Sequence, residues 1–440
     1  MPRVQPRWIL LAAWLLVVLY AFPGYMNWDS AEQLTQARRG RYNDFFPPFM
    51  SFAWHWIDRL ISGPAGMLLL QTWLFVWGLY KVLAARLQPR TAAIAAAALA
   101  VFPPLLTPMA VVWKDAQMAG YLIAGFGLAL QPRRWQRIAA CVLLAMGVAM
   151  RYNAPAGLAP LCLVVCGTWA FRRRLVAFGA AVALCLAIMA GAFALNAVIS
   201  RGHTNPWART TAVWDLAGTI CRVDRMTDAE ANDLLAGTGH IDVPGVQGKL
   251  CSVYTTRFYL GVTQGDLHYF IDPPTPDQVA ARGRAWRRAV SEHFGEYLEH
   301  RVAVMQEVLG LTDDRVWEPV CQTVNPNAAR VALLHHDFKL SSLQFGLGKL
   351  FLRLGNGPLY RVWMYALLAL IFFGYALARR DRLLLGLTGS GLLYEASLFV
   401  GSPSVDFRYS HWMITCTCVA IVIVAIERYA AGVAQRRRGV

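Results

Sequence analysis

Charged residues at the ends of hydrophobic segments are the part of this chain best suited to chemistry. A charge beside a lipid bilayer is energetically costly, so its presence there suggests a function. A carboxylate in such a place can accept a proton from a hydroxyl or an amine, and an arginine can hold two phosphate oxygens at once. Six such residues stand at segment ends: Asp29, Lys114, Asp115, Arg151, Asp406 and Arg408.

Asp29 follows the first hydrophobic segment, with Trp28 before it and Ser30 after it. Ser30 and Gln33 have the spacing of a capping box, so we expect a helix to begin here. Asp29 is then either part of the helix cap or a catalytic carboxylate that acts as the general base. Glu32, one helical turn further on, would share its face and raise the pKa of Asp29 by like-charge repulsion.

Two further motifs offer positive charge. Lys114 precedes Asp115 at the start of the fourth segment. There the two form a local ion pair, or Lys114 binds an anionic group while Asp115 orients it or another basic residue. Arg151 ends the fifth segment, followed by Tyr152 and Asn153. Its guanidinium matches phosphate oxygens, and snorkelling to the membrane interface is the alternative.

A loop rich in functional groups joins the last two segments. Asp406 and Arg408, at positions i and i+2, point to one side if the backbone is extended, and Tyr409 adds a polar tip. This is more than a connector needs. The predicted catalytic residue is Asp29, and the predicted substrate-binding residues are Glu32, Lys114, Asp115, Arg151, Asn153, Asp406, Arg408 and Tyr409.

Ten apolar runs must position these residues. The chain is 57% hydrophobic and 15% charged, whereas soluble domains carry about a quarter charged residues. The runs predict an all-α polytopic membrane protein with about ten transmembrane helices. The first is a retained helix, because no small-residue cleavage site follows it, and the third should kink at its prolines. The predicted spans are residues 8–22, 66–84, 91–109, 115–131, 137–151, 154–171, 175–199, 361–378, 383–400 and 411–427.

Basic residues set the orientation. With the N-terminus inside, the cytoplasmic segments hold eighteen lysines and arginines, whereas the short outer loops hold only Lys114, Arg151 and Arg408. Both termini are therefore expected in the cytoplasm of a bacterial cell, with the charged segment ends on the outer face of its plasma membrane. This topology accounts for most of the net charge of +16, so the charge does not indicate a nucleic-acid partner.

The chain divides into three parts. Residues 1–199 are expected to form an N-terminal transmembrane module of about seven helices, with the catalytic outer loop 24–65 carrying two juxtamembrane helices. Residues 200–360 form a mainly helical extracytoplasmic region, long enough to bury a small core. Residues 361–440 form a C-terminal transmembrane module of about three helices with a basic cytoplasmic tail, which would anchor at the anionic inner leaflet.

Local patterns add detail to the extracytoplasmic region. Residues 277–310 are predicted to be helical. Residues 341–354 are predicted to form an amphipathic stretch on the membrane surface. Cys221, Cys251 and Cys321 lie where oxidation is permitted, and three cysteines suggest one disulfide plus one free thiol. No CxxC pair or metal-ligand spacing occurs.

The order of these features resembles the GT-C superfamily of membrane glycosyltransferases, which includes protein O-mannosyltransferases, oligosaccharyltransferases and lipid A aminoarabinose transferases. The first span, the early acidic residue in the outer loop and the juxtamembrane helices carry the resemblance. The stretch 46–49, Phe-Pro-Pro-Phe, is similar to one that often follows in that loop. The resemblance implies a polyprenyl-phosphate- or polyprenyl-diphosphate-linked sugar donor and a catalytic aspartate at Asp29.

The chain departs from this pattern in two ways. The first outer loop has no second Asp-Asp or Asp-Glu pair, which leaves the use of a divalent metal open. The large outer region lies between spans seven and eight rather than at the C-terminus.

The leading hypothesis is an inverting transferase that moves a sugar from a polyprenyl carrier to an extracytoplasmic glycan, lipid or protein. One alternative is a secondary transporter or a lipid-linked-sugar flippase. Another is an O-antigen ligase or polymerase, which would favour a basic and histidine-rich cluster over Asp29. The residues of that cluster are Arg282, Arg284, Arg287, Arg288, His335 and His336.

Overall fold

Helices form nearly all of the regular structure, and the described residues contain no sheet. The computed structural model describes residues 4–168, 174–242, 244–264, 267–312, 316–322 and 339–438. The first ten helices are α1 (Pro6–Ala21), α2 (Trp28–Arg39), α3 (Phe49–Leu60), α4 (Ala65–Leu83), α5 (Pro89–Ala100), α6 (Pro103–Met109), α7 (Lys114–Ala129), α8 (Arg134–Ala149), α9 (Pro155–Thr168) and α10 (Arg174–Ile199).

Two groups of helices follow. The middle region, residues 200–360, holds α11 (Pro206–Arg209), α12 (Thr211–Ile220), α13 (Asp228–Leu234), α14 (Val246–Val253), α15 (Leu260–Thr263), α16 (Pro276–Glu292), α17 (Phe294–Leu309) and α18 (Ser342–Gly355). The C-terminal module holds α19 (Val362–Arg379), α20 (Arg382–Gly401) and α21 (His411–Arg438), with a 3-10 turn at Phe407–Ser410 before α21.

The apolar helices are those of a multi-pass membrane protein. Within the described ranges, five helical stretches are long and apolar enough to cross a membrane, namely α4, α10, α19, α20 and Phe407–Arg436. Helices α5 and α6 make a sixth if counted together, bent by 69°. The bend begins at Pro103 and Pro104, so the predicted kink in the third span is confirmed. The total of ten spans stays a prediction.

Close helix packing brings α7 against α4. A Cβ atom on Gly78 of α4 would lie 2.5 Å from the backbone nitrogen of Ala124 in α7. Small residues allow such an approach between helices in a membrane. The segment before α7 also pairs with the end of the first span, because Tyr25 accepts a backbone hydrogen bond from Val112 at 2.9 Å. The start of α7 is thereby fixed beside the start of α2.

The two ends of the helix bundle differ in their charged groups. At one end Arg86 pairs with Asp381 and Glu427, each at 2.9 Å. The loops carrying Asp29 and Arg408 meet at the opposite end, which we call the site end. The predicted grouping of charged segment ends is therefore present in the fold.

The middle region has its own hydrophobic core. Val213, Leu216 and Ile220 of α12 are buried against residues such as Leu250 and Phe270. The predicted helix over 277–310 forms as two helices, α16 and α17, which break at His293. The single disulfide among the nine cysteines joins Cys221 to Cys251, as the cysteine count predicts.

The predicted amphipathic stretch forms α18, which Ser341 caps. Gln344 in its first turn donates hydrogen bonds to the carbonyls of Tyr20 and Phe22, at 3.1 and 2.6 Å. Helix α18 thus docks on the end of α1, while Phe345 on another face remains exposed. Its position on a membrane surface stays a prediction.

Gly78→Ala should destabilise the protein by about 1–3 kcal/mol, because the added methyl group overpacks the α4–α7 contact. Gly374→Ala in α19 is the matched control, since a Cβ there meets no atom within 4 Å. Thermal unfolding of both variants in detergent tests this. Equal unfolding temperatures would contradict the close packing described here.

Candidate functional site

A cavity of about 940 Å³ lies where the site end meets the middle region. Of the nine residues predicted for the site, seven line it, and Asp115 lies beneath it, 1% exposed and paired with the lining residue Arg151. Glu32 does not line the cavity. The seven lining residues are Asp29, Lys114, Arg151, Asn153, Asp406, Arg408 and Tyr409.

Asp29 stands in the first turn of α2, but the helix cap differs from the one predicted. Asn27 is the cap, and its side chain accepts a hydrogen bond from the backbone nitrogen of Ser30 at 3.2 Å. The Ser30 hydroxyl lies 2.7 Å from the carbonyl oxygen of Val112 and 3.2 Å from Asn27 Oδ1, both of which can accept its hydrogen bond. The prediction of Ser30 as the cap is therefore wrong. Its contact with Val112 anchors α2 to the segment that leads into α7.

Two cations hold the Asp29 carboxylate. Arg408 Nη2 lies 2.7 Å and Lys114 Nζ 3.3 Å from the same oxygen, Oδ2. Burial raises the pKa of Asp29, but the attraction of Arg408 and Lys114 outweighs it and lowers the pKa to about 2. The prediction that Glu32 raises this pKa is wrong, and Glu32 instead accepts a hydrogen bond from Gln36 at 3.3 Å.

Arg408 joins Asp29 to Asp406. Its Nε and Nη2 atoms donate to Asp406 Oδ2 at 3.0 and 2.8 Å. The prediction assumed an extended backbone between these two residues. A 3-10 turn begins at Phe407 instead. The two side chains nevertheless meet, and the guanidinium lies 4.6 Å above the Trp113 ring.

The cavity has a charged floor. Its first half is Asp29, Lys114, Asp406 and Arg408, and its second half is Arg151 with Asp115. Arg151 pairs with Asp115, while its Nε donates to Asn153 Oδ1 at 2.8 Å. Its guanidinium lies 4.1 Å from the centre of the Tyr409 ring. Asp115 therefore orients Arg151, a basic residue of another helix end, rather than pairing with Lys114.

Positive and negative charges balance on this floor. Three cations, Lys114, Arg151 and Arg408, face three aspartates, so an anion entering the cavity must compete with carboxylates. Some donor capacity remains, because Arg408 Nη1 is buried without a hydrogen-bond partner among the described residues. A lysine ammonium carries three donors, and Asp29 is the hydrogen-bond partner found for Lys114.

The sequence patterns did not reveal Glu318, which also lines the cavity. Enclosure of the cavity by protein and the nearby Asp406 raise the pKa of Glu318 to about 7. No motif marks this single acidic residue within the long middle region. The backbone carbonyl of Trp317, just before it, accepts a hydrogen bond from Phe407 at 3.1 Å.

A buried polar network of the middle region reaches the loop that carries Asp406. Asp215 binds Arg301 at 2.6 Å and His300 at 3.1 Å. Arg301 also donates to the carbonyl of Ser402 at 3.2 Å. Charged side chains with no exposure are costly unless they are paired, so Asp215 and Arg301 stabilise each other in this buried position. The network positions the loop on which Arg408 is carried.

The basic cluster proposed for a ligase or polymerase is not part of the cavity. Arg282 is buried and donates to the carbonyls of Thr238 and Ile271, at 2.9 and 2.6 Å. Arg288 pairs with Asp233 on the surface. Arg284 and Arg287 do not line the cavity either, and His335 and His336 lie outside the described residues.

Within the described part of the chain, no three His, Cys, Asp or Glu side chains come together as a metal site would require. The floor carboxylates are bound by arginine and lysine. The use of a divalent metal stays open.

The solved structures to which this chain is similar include two kinds of GT-C membrane glycosyltransferase. One is the oligosaccharyltransferase AglB from Archaeoglobus fulgidus, in complex with an inhibitory peptide and a dolichol-phosphate. The match covers 99% of this chain and 52% of the AglB chain, with a TM-score of 0.40 and 13% identity. Another is ArnT from Cupriavidus metallidurans, bound to undecaprenyl phosphate. The match covers 98% of this chain and 79% of the ArnT chain, with a TM-score of 0.35 and 15% identity.

The chain spans about half the length of the archaeal oligosaccharyltransferase structures it matches. No family model and no curated protein matches it.

Arg301→Met should destabilise the protein by about 3–5 kcal/mol, because it leaves Asp215 charged, buried and short of its strongest partner. Arg288→Met, which breaks a surface pair, is the control and should change the unfolding temperature little. Thermal unfolding in detergent checks both. A stable Arg301→Met protein would mean that the network does not hold the loop.

Proposed function

We propose that this protein is a membrane glycosyltransferase that moves a sugar from a polyprenyl carrier, linked through phosphate, to an extracytoplasmic acceptor. The observation that carries the proposal is the Asp29 carboxylate held by Lys114 and Arg408 at the wall of one large cavity. A general base and phosphate-binding cations are the two things such a transfer needs. The acceptor is an envelope glycan, a lipid or a protein.

The donor phosphate enters by exchanging with carboxylates. Its oxygens take the remaining donors of Lys114 and Arg408 Nη1, and draw both cations away from Asp29. Arg151, held by Asp115 and Tyr409, adds a third positive charge to the floor. These groups then stabilise the negative charge that develops on the leaving phosphate.

Loss of its two cations turns Asp29 into a stronger base. Its pKa of about 2 results from Arg408 and Lys114, so it rises when the phosphate recruits them. None of the hydrogen bonds or ion pairs of Asp29 among the described residues reaches Oδ1. This oxygen accepts the proton of the acceptor hydroxyl, whose oxygen bonds to the anomeric carbon. The carbon–oxygen bond to the carrier breaks, and its electrons leave with the phosphate.

The proposed arrangement in the cell follows from the basic residues. Both termini lie in the cytoplasm, the protein sits in the bacterial plasma membrane, and the cavity opens on the outer face. Residues 1–199 and 361–440 are the two transmembrane modules that supply the charged floor. Residues 200–360 are the extracytoplasmic region, which helps to bind the acceptor.

Asp29→Asn should reduce sugar transfer by about a hundredfold or more, because the amide cannot accept the acceptor's proton. The measurement is the envelope glycan profile of a deletion strain that expresses the variant. Asp58→Asn is the matched control, since it breaks the ion pair with Arg38 in the same loop but does not touch the cavity.

Wild-type glycan in the Asp29→Asn strain would refute the base assignment. Accumulation of an unflipped lipid-linked precursor in the deletion strain would favour transport instead.

Binding of a phosphate-bearing carrier should weaken as the pH rises through about 7. Glu318 is neutral below that value and ionised above it, so it adds a negative charge beside Asp406 only in alkaline solution. Undecaprenyl phosphate titrated into the purified protein at several pH values tests this. Because the ligand also titrates, the prediction concerns the difference between wild type and Glu318→Gln, which should bind more tightly only above pH about 7.

A further inference from the structure

The cavity has a second wall whose chemistry differs from the charged floor. Residues 205–279 of the middle region contribute eleven lining residues, and none of the eleven is charged. They come from α11, the start of α12, the segment around α15 and one position in α16. The cavity therefore has a charged floor and, on the side of the middle region, a wall of eleven neutral residues; Glu318 is the charged lining residue that the middle region contributes among the described residues.

Three of the eleven residues of the neutral wall are aromatic, namely Trp207, Phe258 and Tyr259. Trp207 lines the cavity and is 43% exposed, so part of its indole is open to an occupant. Its edge packs against Trp286, with ring centres 5.3 Å apart. Trp286 in turn donates to Asp215 at 2.7 Å. The exposed indole is thus held in one position by a buried network.

Neutral hydrogen-bonding groups stand near these aromatic faces. Asn205 and Gln264 both line the cavity, and neither side chain bonds to another described residue. Thr211 adds a hydroxyl beside them. Asp44 of the first outer loop also lines the cavity, and its carboxylate accepts two hydrogen bonds from Thr204. The amides are free to bind a ligand that both donates and accepts hydrogen bonds.

A sugar ring fits this wall better than the other acceptors. Its C–H face covers an aromatic ring, while its hydroxyls reach amides and other hydroxyls around the edge. A purely lipid acceptor would leave the amides unsatisfied in a dry contact, which is costly. An extended peptide is commonly held by adding a strand to a sheet edge, and this wall is built from helices and connecting segments.

We propose that the acceptor is a carbohydrate, bound with a sugar ring against Trp207, so that the product contains a new sugar-to-sugar glycosidic bond. The inference rests on the proposed transferase function and specifies its acceptor. The acceptor sugar's hydroxyl oxygen bonds to the donor's anomeric carbon, its proton goes to Asp29, and the carrier phosphate leaves with the electron pair of the broken bond.

A transfer assay with fractionated acceptors tests this. Membranes from cells grown on radioactive glucose supply the protein and its endogenous lipid-linked donor. The envelope of a deletion strain, separated into polysaccharide, glycolipid and protein, supplies unlabelled acceptors. We expect the label to be linked to a sugar hydroxyl, as shown by linkage analysis. Linkage to a protein side chain or to a non-sugar lipid hydroxyl would overturn the inference. Absence of transfer to any fraction would instead refute the transferase proposal.

Substitution of Trp207 separates acceptor binding from chemistry. Trp207→Ala should raise the acceptor concentration at half-maximal rate about tenfold, with the maximal rate little changed, because it removes a stacking surface. Trp207→Phe keeps a smaller ring and should lie between. Trp135→Ala is the control, since Trp135 is 59% exposed and does not line the cavity.

A wild-type half-maximal concentration in Trp207→Ala would overturn the role of this wall. If that variant does not accumulate in the membrane, Trp207→Phe decides the question by the same measurement, since an unchanged value contradicts stacking on the larger indole and a raised one supports it.

Discussion

The sharing of one carboxylate oxygen by two cations is the constraint on which the rest of the structure depends. Asp29 Oδ2 contacts Arg408 and Lys114 together, and these three residues come from three distant parts of the chain. Without the two cations Asp29 would be an unpaired charge at low exposure, which is strongly unfavourable. Without Asp29, Arg408 would keep Asp406 as its close partner. Three features hold this contact. They are the packing of α4 on α7, the hydrogen bond by which Ser30 anchors α2, and the Asp215–Arg301 network of the middle region.

The distribution of basic residues predicted that the charged segment ends group at one end of the bundle, and seven of the nine predicted residues line one cavity there. It could not predict the pairing. Asp115 forms its ion pair with Arg151 rather than with Lys114, because pairing depends on the rotation of the helices and not on distance along the sequence. Likewise, Asn27 caps α2 although Ser30 has the capping-box spacing. The Ser30 hydroxyl makes a tertiary contact with the carbonyl of Val112. Glu318 was missed because a lone acid in an irregular segment carries no periodic signal.

The fold was predictable where hydrophobic runs and prolines act locally. The bend at Pro103, the amphipathic helix after Ser341 and the presence of one disulfide follow from backbone and solvation rules that need no knowledge of neighbours. The number of spans is harder, because α1, α7, α8 and α9 have only 14 to 16 residues, whereas a transmembrane helix needs about 20. The neutral wall was also hidden, since its residues are spread from Asn205 to Val279 and gather only when the middle region folds over the cavity.

The distribution of the site along the chain has a consequence for biosynthesis. Lys114 and Arg408 are separated by nearly three hundred residues, so roughly 15–60 s of translation pass between them at ordinary rates. Throughout that interval Asp29 has only Lys114 to neutralise it, and Asp115 has only Arg151. The nascent chain must therefore carry an incomplete ionic cluster until its last two helices arrive. Any ribosome that stops early releases a protein whose charged residues are present but not assembled.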